Sequence, residues 1–108
     1  MGLELVERFN RLVAELGREG GHAHLTFVNA AQSKILFILM PSSFDELQRV
    51  LKERSRLGYE FVGVRVCRPG GRVEWLDAEL KPILGEPWAM ACVFTLNAAR
   101  TLKRKGVL

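Results

Sequence analysis

The chain has 108 residues, 48% hydrophobic and 26% charged, a length for one domain and a composition that excludes disordered, collagen-like and fibrous classes. No apolar run approaches the ~20 residues a membrane-spanning helix needs. The opening Met1-Gly2-Leu3-Glu4-Leu5-Val6-Glu7-Arg8 has no apolar signal core, and Val6 stands where a myristoylation signal needs Ser or Thr. These features point to a soluble, cytoplasmic domain with no membrane partner.

The net charge of +4 is a property of the tail. Arg100, Lys103, Arg104 and Lys105 follow Leu96 with no acidic residue, so the preceding residues carry as many acids as bases. A basic field spread over the fold, the usual footprint of nucleic-acid binding, is therefore not expected. Amide side chains are sparse, one trait of thermophile proteins, while the excess of arginine over lysine is also what a GC-rich genome produces.

Residues 3–16 place Leu5, Phe9, Leu12 and Leu16 on one stripe, joined by Val6 and Val13, and predict an amphipathic helix ended by Gly17. Residues 22–29 alternate: Ala23, Leu25 and Phe27 should face a core, with His22, His24 and Thr26 on the opposite face. The run Ile35-Leu36-Phe37-Ile38-Leu39-Met40 reads as a central strand covered on both faces.

After Pro41, the Ser43 and Glu46 spacing predicts a capping box. The helix it opens should bury Phe44, Leu47, Val50, Leu51 and Leu57, pair Asp45 with Arg49, and close at Gly58. Residues 59–67 and 72–77 flank Arg68-Pro69-Gly70-Gly71-Arg72 and predict a hairpin with Val62, Val64 and Val66 on one face. Residues 78–87 read as a loop. Residues 88–96 have large apolar side chains at every second position and are expected to form a strand. Asn97 then caps a short basic helix through Lys105, and 97–108 form the basic end of the single domain.

The order α-β-β-α-β-β-β-α predicts an α+β fold, with a mainly antiparallel sheet of four to five strands and helices packed on one face. Within it, Leu47-x-x-Val50-Leu51 followed by Leu57-Gly58-Tyr59-Glu60-Phe61-Val62-Gly63-Val64 resembles the helix, glycine, aromatic, glutamate and strand signature of the DUF4177 family. The resemblance spans residues 44–76, about a third of the chain, with Tyr59 where that family usually has Trp. It implies a small bacterial α+β domain in which a helix ends at Gly and a Gly-containing hairpin follows. It implies no activity, because the family has no established one.

Three groups of residues are candidates for chemistry. His22 and His24 share a strand face and could ligate one metal or serve in acid–base chemistry, with a third ligand from Asp77, Glu79 or a second copy; an exposed histidine pair after a Gly-Gly turn is far more often solvated polar surface. Arg65, Arg68 and Arg72 surround a hairpin tip and, with Arg100, Lys103, Arg104 and Lys105, would form a nucleic-acid contact. Ion pairing with Glu60 and Glu74 is the structural alternative. Trp88 and Phe94 would anchor an interface.

Cys67 and Cys92 read as small buried hydrophobes, and a bridge between them depends on geometry. No phosphate loop, nucleophile elbow or paired carboxylates occur in the linear sequence, so no cofactor is expected; an enzyme using His22 and His24 stands as an alternative, since catalytic partners need only meet in space. The apolar excess for so short a chain leads to a non-catalytic domain acting by association, most simply as a homodimer.

Overall fold

The computed structural model describes residues 2–90 and 103–106. The predicted stripes and alternations resolve into α1 (Leu3–Glu19), β1 (His22–Asn29), β2 (Lys34–Leu39), α2 (Phe44–Arg56), β3 (Glu60–Arg68), β4 (Arg72–Leu76) and β5 (Pro82–Ile83). All five strands pair antiparallel in the order β2-β1-β3-β4-β5. Both helices contribute to one core against a single face of the sheet, so the fold is α+β. No helix among the described residues is long and apolar enough to cross a membrane.

The core forms where the two periodicities meet. Phe9, Leu12 and Leu16 of α1 and Leu47 of α2 pack on Ala23, Leu25 and Phe27 of β1 and on Val64 and Val66 of β3. Phe9 and Phe27 are wholly buried, each stabilising the fold by roughly 2–3 kcal/mol through loss of apolar surface to water. Phe9 meets Phe44 edge-on, tying α1 to α2 with ring centroids 5.7 Å apart.

Helix ends follow local chemistry, with some departures from expectation. α1 runs past Gly17; Gly20 instead adopts the left-handed conformation (φ 77°) and donates its N–H to the Leu16 carbonyl. The Ser43 hydroxyl caps α2 by accepting from the Glu46 N–H at 3.3 Å. The reciprocal arm is diverted, because the Glu46 carboxylate accepts from Arg49. Arg49 also donates to Glu53, so its partners are Glu46 and Glu53 rather than the expected Asp45. Leu57, expected in the core, is the C-cap and is 61% exposed, since the helical stripe ends before it.

Three expectations about the sheet are corrected. The apolar run at 35–40 is not a central strand: β2 is an edge, and Phe37 and Leu39 are exposed. Residues 88–90 are helical rather than extended; Met90 and Ala89 pack with Val28, Ile35, Val62 and Trp75 on the sheet face away from α1 and α2. The remainder of the expected strand, with Cys92 and Phe94, lies outside the described residues, as do Asn97 and Arg100. The third strand of the run is instead the two-residue β5, within what reads as a loop.

Val62 does not share a face with Val64 and Val66. The β1–β3 register shifts between Thr26 and Phe27, with Thr26 opposite Gly63 and Phe27 opposite Phe61. The extra residue turns Val62 to the far face. Gly63 at this bulge has φ 156°, and a Cβ there would run into the Leu76 carbonyl of the neighbouring strand.

Arg68 fastens α1 to the hairpin. Its guanidinium donates to Glu19 at 2.8 Å, to Glu74 at 3.0 Å and to Glu15 at 3.4 Å, and its side chain is only 13% exposed. Hydrogen bonding to Glu19 and then Glu74 raises the Arg68 pKa further above its ordinary value.

Two stability predictions follow from these contacts. Gly63→Ala should destabilise the fold by roughly 2 kcal/mol or more, combining backbone strain with a clash, measured as a fall in urea midpoint. Arg68→Gln leaves three carboxylates facing one another and should cost about 1–2 kcal/mol, allowing for their partial exposure. That loss should shrink as added salt screens the repulsion.

Candidate functional site

The sheet face opposite the helices carries the chemistry. Antiparallel register sets Leu39 beside His24, His24 beside Arg65, Arg65 beside Trp75 and Trp75 beside Ile83. The adjacent row sets His22 beside Cys67 and Cys67 beside Val73. His22 and His24 share this face because residues two apart on a strand point the same way. Their rings meet edge-on, centroids 5.1 Å apart.

Cys67 joins them. One ligand atom from each of His22, His24 and Cys67 falls within 4.8 Å of the others, and Cys67 is a free thiol. Asp77 and Glu79, the candidate third ligands, do other work: Asp77 accepts from the Glu79 and Lys81 backbone N–H groups in its own turn, and Glu79 pairs with Lys81. The chain's own third donor was not foreseen. Its signal was available only as a cross-strand partner, since Cys67 lies opposite His22 once β1 and β3 pair.

His24 is half-buried, and its Nδ1 is shielded from water with no hydrogen-bond partner among the described residues. Burial, the Arg65 guanidinium and then His22 hold its pKa below the ordinary 6.5, so the ring is neutral at pH 7. Arg65 itself lies over the Phe37 ring, 4.1 Å from its centroid, a cation–π contact that fixes the guanidinium on this face. Its Nε is buried without a partner among the described residues.

Among the described residues, Arg65 and Arg68 of the hairpin do not converge. Arg68 faces α1 and is surrounded by carboxylates, while Arg65 projects from the opposite face of the sheet. Arg72 is exposed opposite Arg68 in the hairpin. Lys103 and Arg104 are helical, and with Lys105 they are exposed; Gly106 follows with its N–H bonded to the Lys103 carbonyl. Trp88 is 81% exposed.

No family model, no curated protein and no solved structure matches the chain. Function is therefore argued from the residues themselves.

Metal-free protein should show the sign of the His24 shift. The unfolded imidazole takes a proton below about 6.5, whereas the folded one, beside His22, Cys67 and Arg65 and opposite the apolar Leu39, resists it. The unfolded state thus binds more protons in the window just below 6.5, and stability falls there as pH drops. Urea titrations should show this fall in the wild type and a shallower one in His24→Gln.

Proposed function

We propose that this domain works by association, two copies pairing through the β2 edge. The carrying observation is that, among the described residues, β2 is an apolar edge strand without protection. Native edges are usually blunted by prolines, charges or shortness. The opposite edge has such a device, since β5 is two residues long and contains Pro82. β2 is six residues long, Lys34-Ile-Leu-Phe-Ile-Leu39, with its one charge at the end.

The outward backbone groups can be assigned. Met40 donates its N–H to the Ala23 carbonyl, and pairing alternates along an antiparallel ladder. Ile38 and Leu36 therefore point their N–H and C=O groups at β1, while Leu39, Phe37 and Ile35 point theirs away from the sheet. A second β2 running antiparallel, with the two-fold axis at Phe37, satisfies all three positions at once, Ile35 against Leu39 and Phe37 against its own copy. Such an isologous contact closes as a dimer. Of the residues expected at the interface, Trp88 is not part of this ladder and, being exposed, is available to the same assembly, while Phe94 lies outside the described residues.

The observations weigh less for nucleic acid. Phosphate contacts need accessible cations, and Arg68 is neutralised while Arg65 is stacked on Phe37. Among the described residues, the exposed cations left for such a contact are Arg72 in the hairpin and Lys103, Arg104 and Lys105 near the C-terminal end.

Light scattering coupled to size exclusion should find a dimer whose mass is unchanged between low and high salt. Leu39→Pro, which removes an outward N–H, and Phe37→Lys, which charges the centre of the ladder, should each weaken it at least tenfold, about 1.4 kcal/mol. A wild type that remains monomeric at tens of micromolar overturns the proposal.

A further inference from the structure

The pairing of β1 with β3 builds a donor set that the association of copies does not use. We propose that His22, His24 and Cys67 form a binding site for a borderline-soft divalent metal ion, zinc in the first instance, with a fourth coordination position left open. The site belongs to one chain and does not depend on the pairing of β2.

Geometry is the first support. Donor atoms sharing one tetrahedral zinc lie about 3.3–3.6 Å apart, given Zn–N near 2.0–2.1 Å and Zn–S near 2.3 Å. The three side chains already stand within 4.8 Å of one another, so closing on a metal requires side-chain rotations and no change of backbone. Their relative positions are set by strand period and register, the least deformable features of a sheet: His24 is two residues along from His22, and Cys67 lies directly across from His22.

Burial is the second support. A ring nitrogen of His24 is out of water without a partner among the described residues, an arrangement that costs stability when left unsatisfied. Coordination of this imidazole would recover part of that cost. His22 is exposed, which leaves a side from which an ion and its water can enter.

The donor chemistry selects the metal. Two imidazoles and one thiolate suit zinc and its neighbours in the transition series. Magnesium and calcium require oxygen ligands, and among the described residues no carboxylate belongs to this cluster. Arg65 stands on the same face beside His24 and repels a dication. The Cys67 thiol, on losing its proton to solvent, brings a negative charge that cancels one of the two incoming positive charges. Cys67 is accordingly the ligand on which affinity depends most. Three protein ligands with one open position are also the arrangement that lets a metal carry water or an exchangeable ligand.

The test titrates Co²⁺ and then Zn²⁺ into untagged, metal-free, reduced full chain. One Co²⁺ per chain should bind with a thiolate-to-cobalt charge-transfer absorption, and Zn²⁺ should displace it. Cys67→Ser should abolish the absorption, Cys92→Ser should leave it intact, and His22→Gln should weaken Co²⁺ binding about tenfold or more. Circular dichroism checks that each variant folds. If Cys67→Ser does not fold, the exposed His22 decides: unchanged affinity in His22→Gln overturns the proposal. No stoichiometric uptake, uptake without charge transfer, or an absorption that follows Cys92 instead of Cys67 overturns it equally.

Discussion

The pairing of β1 with β3 is the constraint on which the rest of the molecule depends. It sits inside the sheet, with β2 beyond β1 and β4 beyond β3, so its register sets which residues every neighbour meets. On one side it aligns Ala23, Leu25 and Phe27 with Val66, Val64 and Phe61 beneath the helices. On the other it aligns His22 with Cys67 and His24 with Arg65. A slip of one residue would exchange these two faces and place imidazole and guanidinium under α1. The shift at Thr26 and Phe27, made possible by Gly63, lets a single strand serve both faces: it feeds Val64 and Val66 to the main core and Val62 to the smaller cluster around Met90.

Charge is distributed with a similar division. On the helix side, Arg68 collects three carboxylates from α1 and β4, which converts a basic hairpin into a clasp across the edge of the core. On the open side, Arg65 has an aromatic ring and no carboxylate partner among the described residues. The same residue type therefore serves stability on one face and sets the electrostatics of the imidazoles on the other. His24 stays neutral because burial, then the Arg65 guanidinium and then His22 disfavour its proton, and a neutral imidazole is the form with a lone pair to donate.

β2 connects the two proposals physically. Its outward backbone is the candidate ladder between copies, while Phe37 supports Arg65 and Leu39 lies beside His24. Residues that would order the edge are thus the same ones that border the imidazole and thiol cluster. The apolar character of this strand follows from that double position: side chains alternate between the core and the open face, and neither is fully solvated.

Local chemistry was legible in the chain alone. The stripes of α1 and α2, the Ser43 cap, the hairpin at Gly70-Gly71 and the shared face of His22 and His24 all follow from short-range periods of 3.6 and 2 and from the stereochemistry of single residues. What required tertiary structure were relations between distant segments. That an apolar run is an edge strand depends on which strands lie beside it, and Ile35 to Leu39 read the same in either position. The helical start at residues 88–90 reflects the packing of Met90 and Ala89 on an already formed sheet, a context that overrides an alternating pattern. Cys67 could be read as a small hydrophobe until β1 and β3 paired, because a cross-strand neighbour is specified by register and has no fixed distance along the sequence. The sequence by itself determined the stripes of α1 and α2, the hairpin of β3 and β4 and the two faces of β1; only the tertiary structure decided that a thiol stands beside the histidine pair, since that contact exists through backbone hydrogen bonding between strands far apart in the chain.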